Sequence, residues 1–168
     1  MSLSKPLRRA VLAGLVVSFG AALGACSFTP VYSGALAGQA ALELAYAKPT
    51  NRLEQIIYQD LSLRFGTASS PAAPLATVAA VSSARDILVT TTTNPSIPVE
   101  VTVTATLTIT NRSGSDIPPS VYTRAASAGY TRSGQVLADR AAAGEAAERA
   151  AKGAAESLRL AVLAALSR

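Results

Sequence analysis

The clearest alternation of apolar and polar positions in the chain lies between Val99 and Ile109. Val, Ala, Leu and Ile occupy the odd-numbered positions of this stretch, whereas Glu and Thr occupy the even-numbered ones. An alternation with a period of two predicts a β-strand with one buried face. Because a shift of one residue would expose the whole apolar set, the register of this strand is strongly specified. The even-numbered positions predict an opposite face rich in threonine.

A helical pattern precedes this strand. Asn51, followed three residues later by Glu54, has the form of a capping box. Apolar residues then recur at helical spacing, namely Leu53, Ile56, Ile57, Leu61 and Phe65. Gly66 is a natural C-terminal stop. The sequence therefore predicts one amphipathic helix of about four turns.

Weaker signals predict further extended segments. Gln39 to Tyr46 alternates in the manner of a half-buried strand, and Leu75 to Val81 and Asp86 to Thr93 are interpreted as two extended segments after a polar loop. A strand resumes around Ser120 to Tyr130, after a pair of prolines. Residues 111–116 (NRSGSD) predict a hairpin-type connection.

Residues 136–167 predict a second helix, because they are rich in alanine and contain no proline. A polar stripe follows one side: Glu145, Glu148, Arg149, Lys152, Glu156 and Arg159. Within the stripe, Glu145–Arg149 and Glu148–Lys152 have the spacing of favourable helical ion pairs. The predicted buried face is mostly small: Ala147, Ala151, Ala154, Leu158, Val162 and Ala165. A face this small can approach a sheet closely.

The elements indicate the order β-α-β-β-β-α, and no internal repeat or change of composition divides them. This order predicts an α+β fold in the form of a two-layer sandwich. Two helices would cover one face of an antiparallel or mixed sheet of about four strands. Residues 39–168 are predicted to form this single domain.

The first 25 residues have the organisation of a secretory signal. A basic start (MSLSKPLRR) precedes a 14-residue apolar run from Ala10 to Leu23, which is shorter than the roughly 20 residues of a membrane span. The following Leu-Gly-Ala-Cys, residues 23–26, resembles a bacterial lipobox. That resemblance implies cleavage between Ala25 and Cys26 and acylation of the Cys26 thiol. Residues 26–38 would then be a lipidated tether that holds the protein on a membrane.

An ordinary secreted protein cut after Ala25 is the alternative interpretation of this leader. Against it, Cys26 is the only cysteine in the chain, and a lone thiol beside the cleavage site is otherwise hard to explain in an oxidising compartment. Ser27 follows the cysteine, where enterobacterial lipoproteins retained in the inner membrane commonly carry Asp. The outer membrane, on its periplasmic side, is therefore the predicted location.

Composition excludes several classes of function. The chain has 168 residues with a formal net charge of +5, but three of its basic residues fall within the first nine. The sequence pI of about 9.8 therefore does not indicate a nucleic-acid partner. With no histidine and one cysteine, a Cys/His zinc site, a histidine-based triad and an intrachain disulfide cannot be built. We expect no metal and no cofactor.

An enzyme is also disfavoured. The chain lacks G-x-S-x-G and a glycine-rich phosphate loop. Its Ser-Gly-Ser-Asp at residues 113–116 is more typical of a turn than of a nucleophile.

The start of the mature chain carries a family resemblance. Residues 26–32 (CSFTPVY) resemble the C-G-F-x-P-L-Y start of the LPS-assembly lipoprotein LptE family. The early NRLEQ helix, the long middle strand and the last helix rich in Ala and Arg are similar in layout to its alphaproteobacterial form. Ser27 and Val31 replace the Gly and Leu usual in that start.

This resemblance implies a plug inside the outer-membrane β-barrel LptD that helps to place lipopolysaccharide in the outer leaflet. Two alternatives stay open, namely an accessory or carrier lipoprotein of another envelope lipid-transport system, and a structural lipoprotein without a ligand. Three basic residues are candidates for contact with lipid A phosphates: Arg112, Arg124 and Arg132. We select Arg112 as the lipopolysaccharide-binding residue, because the tip of a loop can reach a ligand while the sheet holds it in place.

Overall fold

A computed structural model describes residues 42–87, 96–112 and 117–167. Six elements follow one another in these ranges: β1 (Ala45–Tyr46), α1 (Arg52–Phe65), β2 (Leu75–Asp86), β3 (Ile97–Thr110), β4 (Ser120–Arg132) and α2 (Val136–Leu166). The predicted α+β layout is confirmed.

The four strands form one open sheet in the order β1-β2-β3-β4. β1 pairs with β2 in parallel, whereas the β2–β3 and β3–β4 pairs are antiparallel, so the sheet is mixed. Val103 near the middle of β3 stands opposite Ser82 on one side and Ala126 on the other. α2 packs against β3 and β4, and α1 packs against α2 and β2.

The core lies between the sheet and the two helices. The alternation of β3 is confirmed, since the following odd-numbered residues are buried: Val99, Val101, Val103, Ala105 and Leu107. On α1, the buried apolar residues are Ile56, Ile57, Tyr58, Leu61 and Phe65. On α2 they are Ala146, Ala150, Ala151, Ala154, Ala155, Leu158 and Val162. Ala147 is therefore only half-buried and Ala165 is exposed, contrary to the predicted face of this helix.

The predicted ends of α1 are confirmed by its capping bonds. The Asn51 side chain is the N-cap and accepts a hydrogen bond from the backbone N–H of Glu54 at 2.9 Å. The Glu54 carboxylate in turn accepts from the backbone N–H of Thr50 at 2.7 Å, so it bonds one residue before the N-cap. Gly66 ends the helix at a φ of 81°, in the left-handed region that favours glycine.

Two strands differ from the predicted boundaries. β1 has only two residues, followed closely by Pro49, and residues 39–41 lie outside the described ranges. β2 is one strand where the sequence predicts two segments. Its polar stretch from Ser82 to Arg85 stays extended because each of its residues pairs with one of the residues from Glu100 to Val103 on β3. Residues 88–95, which hold most of the second predicted segment, lie outside the described ranges.

Beyond its short pairing with β1, the outer edge of β2 contacts side chains of α1 at two positions. The backbone N–H of Val78 donates to the Tyr58 hydroxyl at 2.8 Å, and the backbone N–H of Ala80 lies near enough to the Glu54 carboxylate to favour its ionised form. An amide buried without a partner costs about 1–3 kcal/mol. α1 therefore binds part of the sheet edge by hydrogen bonding as well as by apolar packing.

The two neighbouring tyrosines give a matched test of this arrangement. The rings of Tyr46 and Tyr58 pack edge to face, with centroids 5.8 Å apart. The Tyr46 hydroxyl, however, is buried and has no hydrogen-bond partner among the described residues, and burial raises the pKa of Tyr46 to about 12.

We expect Tyr58→Phe to lower the free energy of unfolding by about 1–3 kcal/mol, because the Val78 amide loses its acceptor. Tyr46→Phe should leave it unchanged or raise it. Urea unfolding of the two variants measures the contrast, and equal losses would contradict the assigned bonds.

Candidate partner-binding face

The face of the sheet away from the helices is open. Alternate residues of β2, β3 and β4 form cross-strand rows on it, and four successive rows contain only uncharged side chains of small or medium size. These rows are Thr77–Thr108–Val121, Ala79–Thr106–Thr123, Val81–Thr104–Ala125 and Ser83–Thr102–Ser127. We call this surface the threonine face. The even-numbered threonines of β3 lie on it, as the alternation predicts.

Cross-strand hydrogen bonds order the hydroxyls of the threonine face. Thr102 Oγ1 and Ser127 Oγ are 2.7 Å apart, and Thr106 Oγ1 and Thr123 Oγ1 are 3.0 Å apart. In each pair one hydroxyl donates to the other, so the acceptor of each pair keeps its own hydrogen for a further bond. The face can therefore both donate and accept hydrogen bonds without carrying a net charge.

Among the described cross-strand rows on this side of the sheet, only the row of Arg85 and Glu100 carries charge. Arg85 Nη2 lies 2.6 Å from Glu100 Oε2 in the row that follows Ser83–Thr102–Ser127, so the two charges there cancel. Apolar groups are also present, since Val81 is 68% and Val121 is 59% exposed. The threonine face is therefore a neutral surface of short hydroxyl and methyl groups.

The three basic candidates are not brought together. Arg112 is exposed and follows the end of β3, where Thr110 pairs with Leu75 and Leu75 with Ala45. Arg112 therefore lies at the end of the sheet where β1 and β2 begin. Arg132 lies at the opposite end, opposite Ile97. Arg124 lies between them on the outermost strand.

Two of these arginines also contact other groups of the chain. Arg132 Nη2 is 2.8 Å from Asp86 Oδ2, and Arg124 Nη1 donates to the backbone carbonyl of Thr123 at 2.7 Å. A phosphate site usually needs several converging donors. Since the structure separates the three residues, they do not form such a site together.

The predicted lipidation and cleavage residues, Cys26 and Ala25, lie outside the described ranges, as does the Ser-Gly-Ser-Asp turn at 113–116. Within residues 42–87, 96–112 and 117–167, His, Cys, Asp and Glu side chains nowhere group in a way that could hold a metal ion. None of the helices in these ranges has the length and apolar character needed to cross a bilayer.

The polar stripe of α2 is used differently from the sequence prediction. Glu148 Oε1 accepts from Arg52 Nε of α1 at 3.1 Å, and Arg149 donates to the backbone carbonyl of Gly129 on β4 at 2.9 Å. The predicted partners in each pair were Lys152 and Glu145. The spacing alone could not reveal the observed partners, because both belong to elements distant in sequence.

The described clefts flank α1. One of about 300 Å³ is lined by Tyr46, Pro49 and Tyr58 among others, and one of about 270 Å³ lies between α1 and α2, beside Arg52 and Glu148. Between the sheet and α2 the layers approach closely, since a Cβ added at Gly153 would lie 3.0 Å from Cβ of Ala126. A lipid carrier with a groove between its layers would need space at this close contact.

The similarity of this chain to known proteins lies in its fold. No protein-family model matches the sequence. No curated protein matches it either. Solved structures do match, and three of them are named as lipoproteins or candidates for that class.

The first is a candidate lipoprotein from Caulobacter crescentus, 19% identical, with a TM-score of 0.50 over 75% of this chain and 92% of that one. The second is a minor lipoprotein from Acinetobacter baumannii, 16% identical, with a TM-score of 0.54 over 74% and 94%. The third is rare lipoprotein B from Shewanella oneidensis, 11% identical, with a TM-score of 0.55 over 74% and 95%. The chain therefore has a fold similar to that of these three proteins over nearly their whole length.

Proposed function

We propose that this protein is an outer-membrane lipoprotein of the LptE type, which occupies the lumen of an LptD β-barrel and assists lipopolysaccharide assembly. The proposal rests on sequence and fold taken together. Residues 23–26 resemble a lipobox and residues 26–32 (CSFTPVY) resemble the LptE start. The domain that follows has a fold similar to that of rare lipoprotein B.

The surface of the domain supports a partner of this kind. The lumen of an outer-membrane barrel is polar and hydrated, and a plug in it needs a polar exterior. The threonine face offers hydroxyls without net charge, and the exposed side of α2 offers charged groups such as Lys152 and Arg149. Contact would be broad and polar, so single substitutions on either surface should weaken it only partly.

Depletion of the protein from its host tests this function. The barrel should then be poorly assembled, and lipopolysaccharide should accumulate in inner compartments. An unchanged barrel and normal surface lipopolysaccharide would favour a structural lipoprotein without a ligand. Loss of a different envelope lipid from the outer membrane would favour the accessory-subunit alternative.

The anchoring of the chain is tested separately. Mass spectrometry of the mature N-terminus should show Cys26 carrying diacylglycerol and an amide-linked acyl chain. Each buried CH₂ contributes about 0.8 kcal/mol, so three chains hold a protein firmly on a membrane. Cleavage elsewhere, or an unmodified Cys26 thiol, would contradict the lipoprotein assignment. Cys26→Ser should release the protein into the soluble envelope fraction.

Arg112 is proposed as a contact for lipid A phosphate. It lies at the end of the sheet where the described chain begins, which is the end nearest in sequence to the proposed acyl anchor. We expect Arg112→Glu to weaken lipopolysaccharide binding by several-fold while leaving co-purification with the barrel intact. Arg140→Glu is the matched control, because that exposed residue lies in the first turns of α2, which follows the opposite end of the sheet. Equal effects of the two variants would remove Arg112 from the site.

A further inference from the structure

The two outer edges of the sheet differ in how far they are covered. The edge of β2 is covered as far as Ala80, by β1 and by the Glu54 and Tyr58 side chains of α1. The edge of β4 has no strand beside it in the described parts of the chain. β4 is 13 residues long and contains no proline, so its outer backbone groups are in a position to pair with another strand.

The register shows which β4 residues point outwards. In an antiparallel sheet each residue directs both its N–H and its C=O to the same side, and successive residues alternate. Odd-numbered residues of β2 bond to β3, since the N–H of Ile87 donates to the carbonyl of Pro98. The alternation then directs the even-numbered residues of β4 to β3 and its odd-numbered residues to the free edge. The outward set is Val121, Thr123, Ala125, Ser127, Gly129 and Thr131.

Two arginines occupy this edge at separate points. Arg124 donates to the carbonyl of Thr123, and Arg149 reaches from α2 to the carbonyl of Gly129. Both carbonyls belong to the outward set, which agrees with the direction derived from the register. Between them, the backbone groups of Ala125 and Ser127 have no partner among the described residues.

We infer that the free edge of β4 binds an extended, acidic segment of a partner protein as an additional antiparallel strand. The backbone of Ala125 and Ser127 would pair with that segment, and Arg124 and Arg149 would bind two of its carboxylates. Strand addition of this kind takes its affinity from main-chain hydrogen bonds and its specificity from side-chain contacts. The inference does not depend on the identity of the barrel partner.

Charge decides between the possible occupants. β4 carries no acidic residue, so a second copy paired edge to edge would bring the arginines of the two chains together without carboxylates from either β4. An acidic strand instead neutralises Arg124 and Arg149. The two capped carbonyls are six residues apart, about 20 Å in an extended strand. Side chains six residues apart point to the same side of a strand. Two carboxylates at that spacing can therefore both face the side of the sheet on which Arg124 and α2 lie.

The packing beside the edge leaves room for such a strand. The helix-facing residues of β4 near its centre are Ala126 and Ala128, and the helix above them carries Gly153 and Ser157. Leu160, further along α2, is 50% exposed and offers an apolar contact. An added strand would therefore pack against small groups on its inner side, with arginines at both ends.

A pair of synthetic peptides tests the inference on the full chain purified in detergent. The first probe is the capped nonapeptide Thr-Glu-Thr-Val-Ala-Val-Thr-Glu-Thr, whose two Glu residues are six positions apart, and the second replaces both Glu residues with Lys. We expect the Glu peptide to bind at least tenfold more tightly. Amide hydrogen exchange should slow at Ala125 and Ser127, whereas the even-numbered amides of β4, already bonded to β3, should not change.

Variants of the full chain separate edge pairing from general charge attraction. Ala125→Pro removes an outward N–H without touching the bonds to β3 and should weaken binding at least tenfold, while Ala125→Val, which keeps the N–H, should not. The double variant Arg124→Glu/Arg149→Glu should reverse the preference towards the Lys peptide, which keeps the test valid if the proline variant does not fold. Equal binding of both peptides, binding without the odd-numbered protection, or self-association through β4 in sedimentation would each overturn the inference.

Discussion

Val103→Asp should destabilise the domain by about 4 kcal/mol or more, whereas Thr104→Asp should cost less than about 1 kcal/mol. Val103 is fully buried between the sheet and the helices, and a carboxylate there would have no partner for its charge. Thr104 is the next residue of the same strand, but it stands on the threonine face between Val81 and Ala125. A charge at Thr104 can reach water.

Urea unfolding of the two variants measures this contrast. Both variants introduce Asp into the middle of the same strand, so their strand propensities are similar. The difference between the two losses of stability therefore reports which side of β3 is buried. Similar losses at both positions would show that the threonine face is covered or that the register is wrong.

Glu54→Ala should lower the free energy of unfolding by about 3 kcal/mol. Glu54 is 6% exposed, and its carboxylate accepts hydrogen bonds from the Thr50 backbone N–H and hydroxyl and from the Asn51 side chain. The nearby Ala80 amide of β2 also favours the ionised form of the carboxylate. Removal of the carboxylate leaves the donors of the helix cap without their acceptor, and hydrogen bonds to charged groups contribute about 1.5–3 kcal/mol each.

The pH dependence of stability gives a second signature of Glu54. Burial acts to raise the pKa of this carboxyl, but the hydrogen bonds from Thr50, Ala80 and Asn51 outweigh it, so the pKa lies below its ordinary value. A lowered pKa in the folded state means that the stabilisation is fully present above the unfolded value of about 4.3 and is lost as the pH falls through the folded value. Wild-type stability should therefore fall more steeply below about pH 4.3 than that of Glu54→Ala.

Glu148→Ala is the matched control for both measurements. Its carboxylate also accepts from a neighbouring helix, but the Arg52–Glu148 pair is exposed, and such pairs contribute at most about 1 kcal/mol. If Glu148→Ala and Glu54→Ala cost the same, the buried hydrogen bonds of Glu54 contribute no more to stability than an exposed ion pair does.

The sequence predicts elements best where a local pattern and the tertiary environment coincide. β3 is predicted almost to its ends because one of its faces is buried along most of its length. The start of α1 is predicted because Asn51 and Glu54 act within one helical turn. Nothing local, however, indicates that Tyr58 of the same helix accepts from the Val78 amide, since that contact forms only when β2 packs beside α1.

The buried face of α2 shows why other features were missed. Alanine occurs on every side of this helix, so the apolar pattern does not distinguish Ala146 from Ala147. The burial of one rather than the other is set by where Gly153 meets Ala126 on β4. The division of β2 into two predicted segments has a related cause, because Ser82 to Arg85 have little local preference for a strand and are held in place by β3.

The candidate site, too, is predicted from the sequence only where a local pattern determines it. The threonine face follows from the alternation of β3, whereas the open edge of β4 and its two arginines depend on strand order and on a helix distant in sequence. The separation of Arg112, Arg124 and Arg132 likewise comes from topology, since they lie at one end, the middle and the other end of the sheet.

The most direct test of the proposed function is to purify the acylated full chain from outer membranes in mild detergent and identify what is bound to it. An LptE-type protein should bring down an LptD-type β-barrel in a stable complex of one copy each, and Cys26→Ser, mislocalised to the soluble fraction, should recover much less of it. Recovery of an inner-membrane lipid-transport permease without a barrel, or of the acylated chain alone, would contradict the proposal.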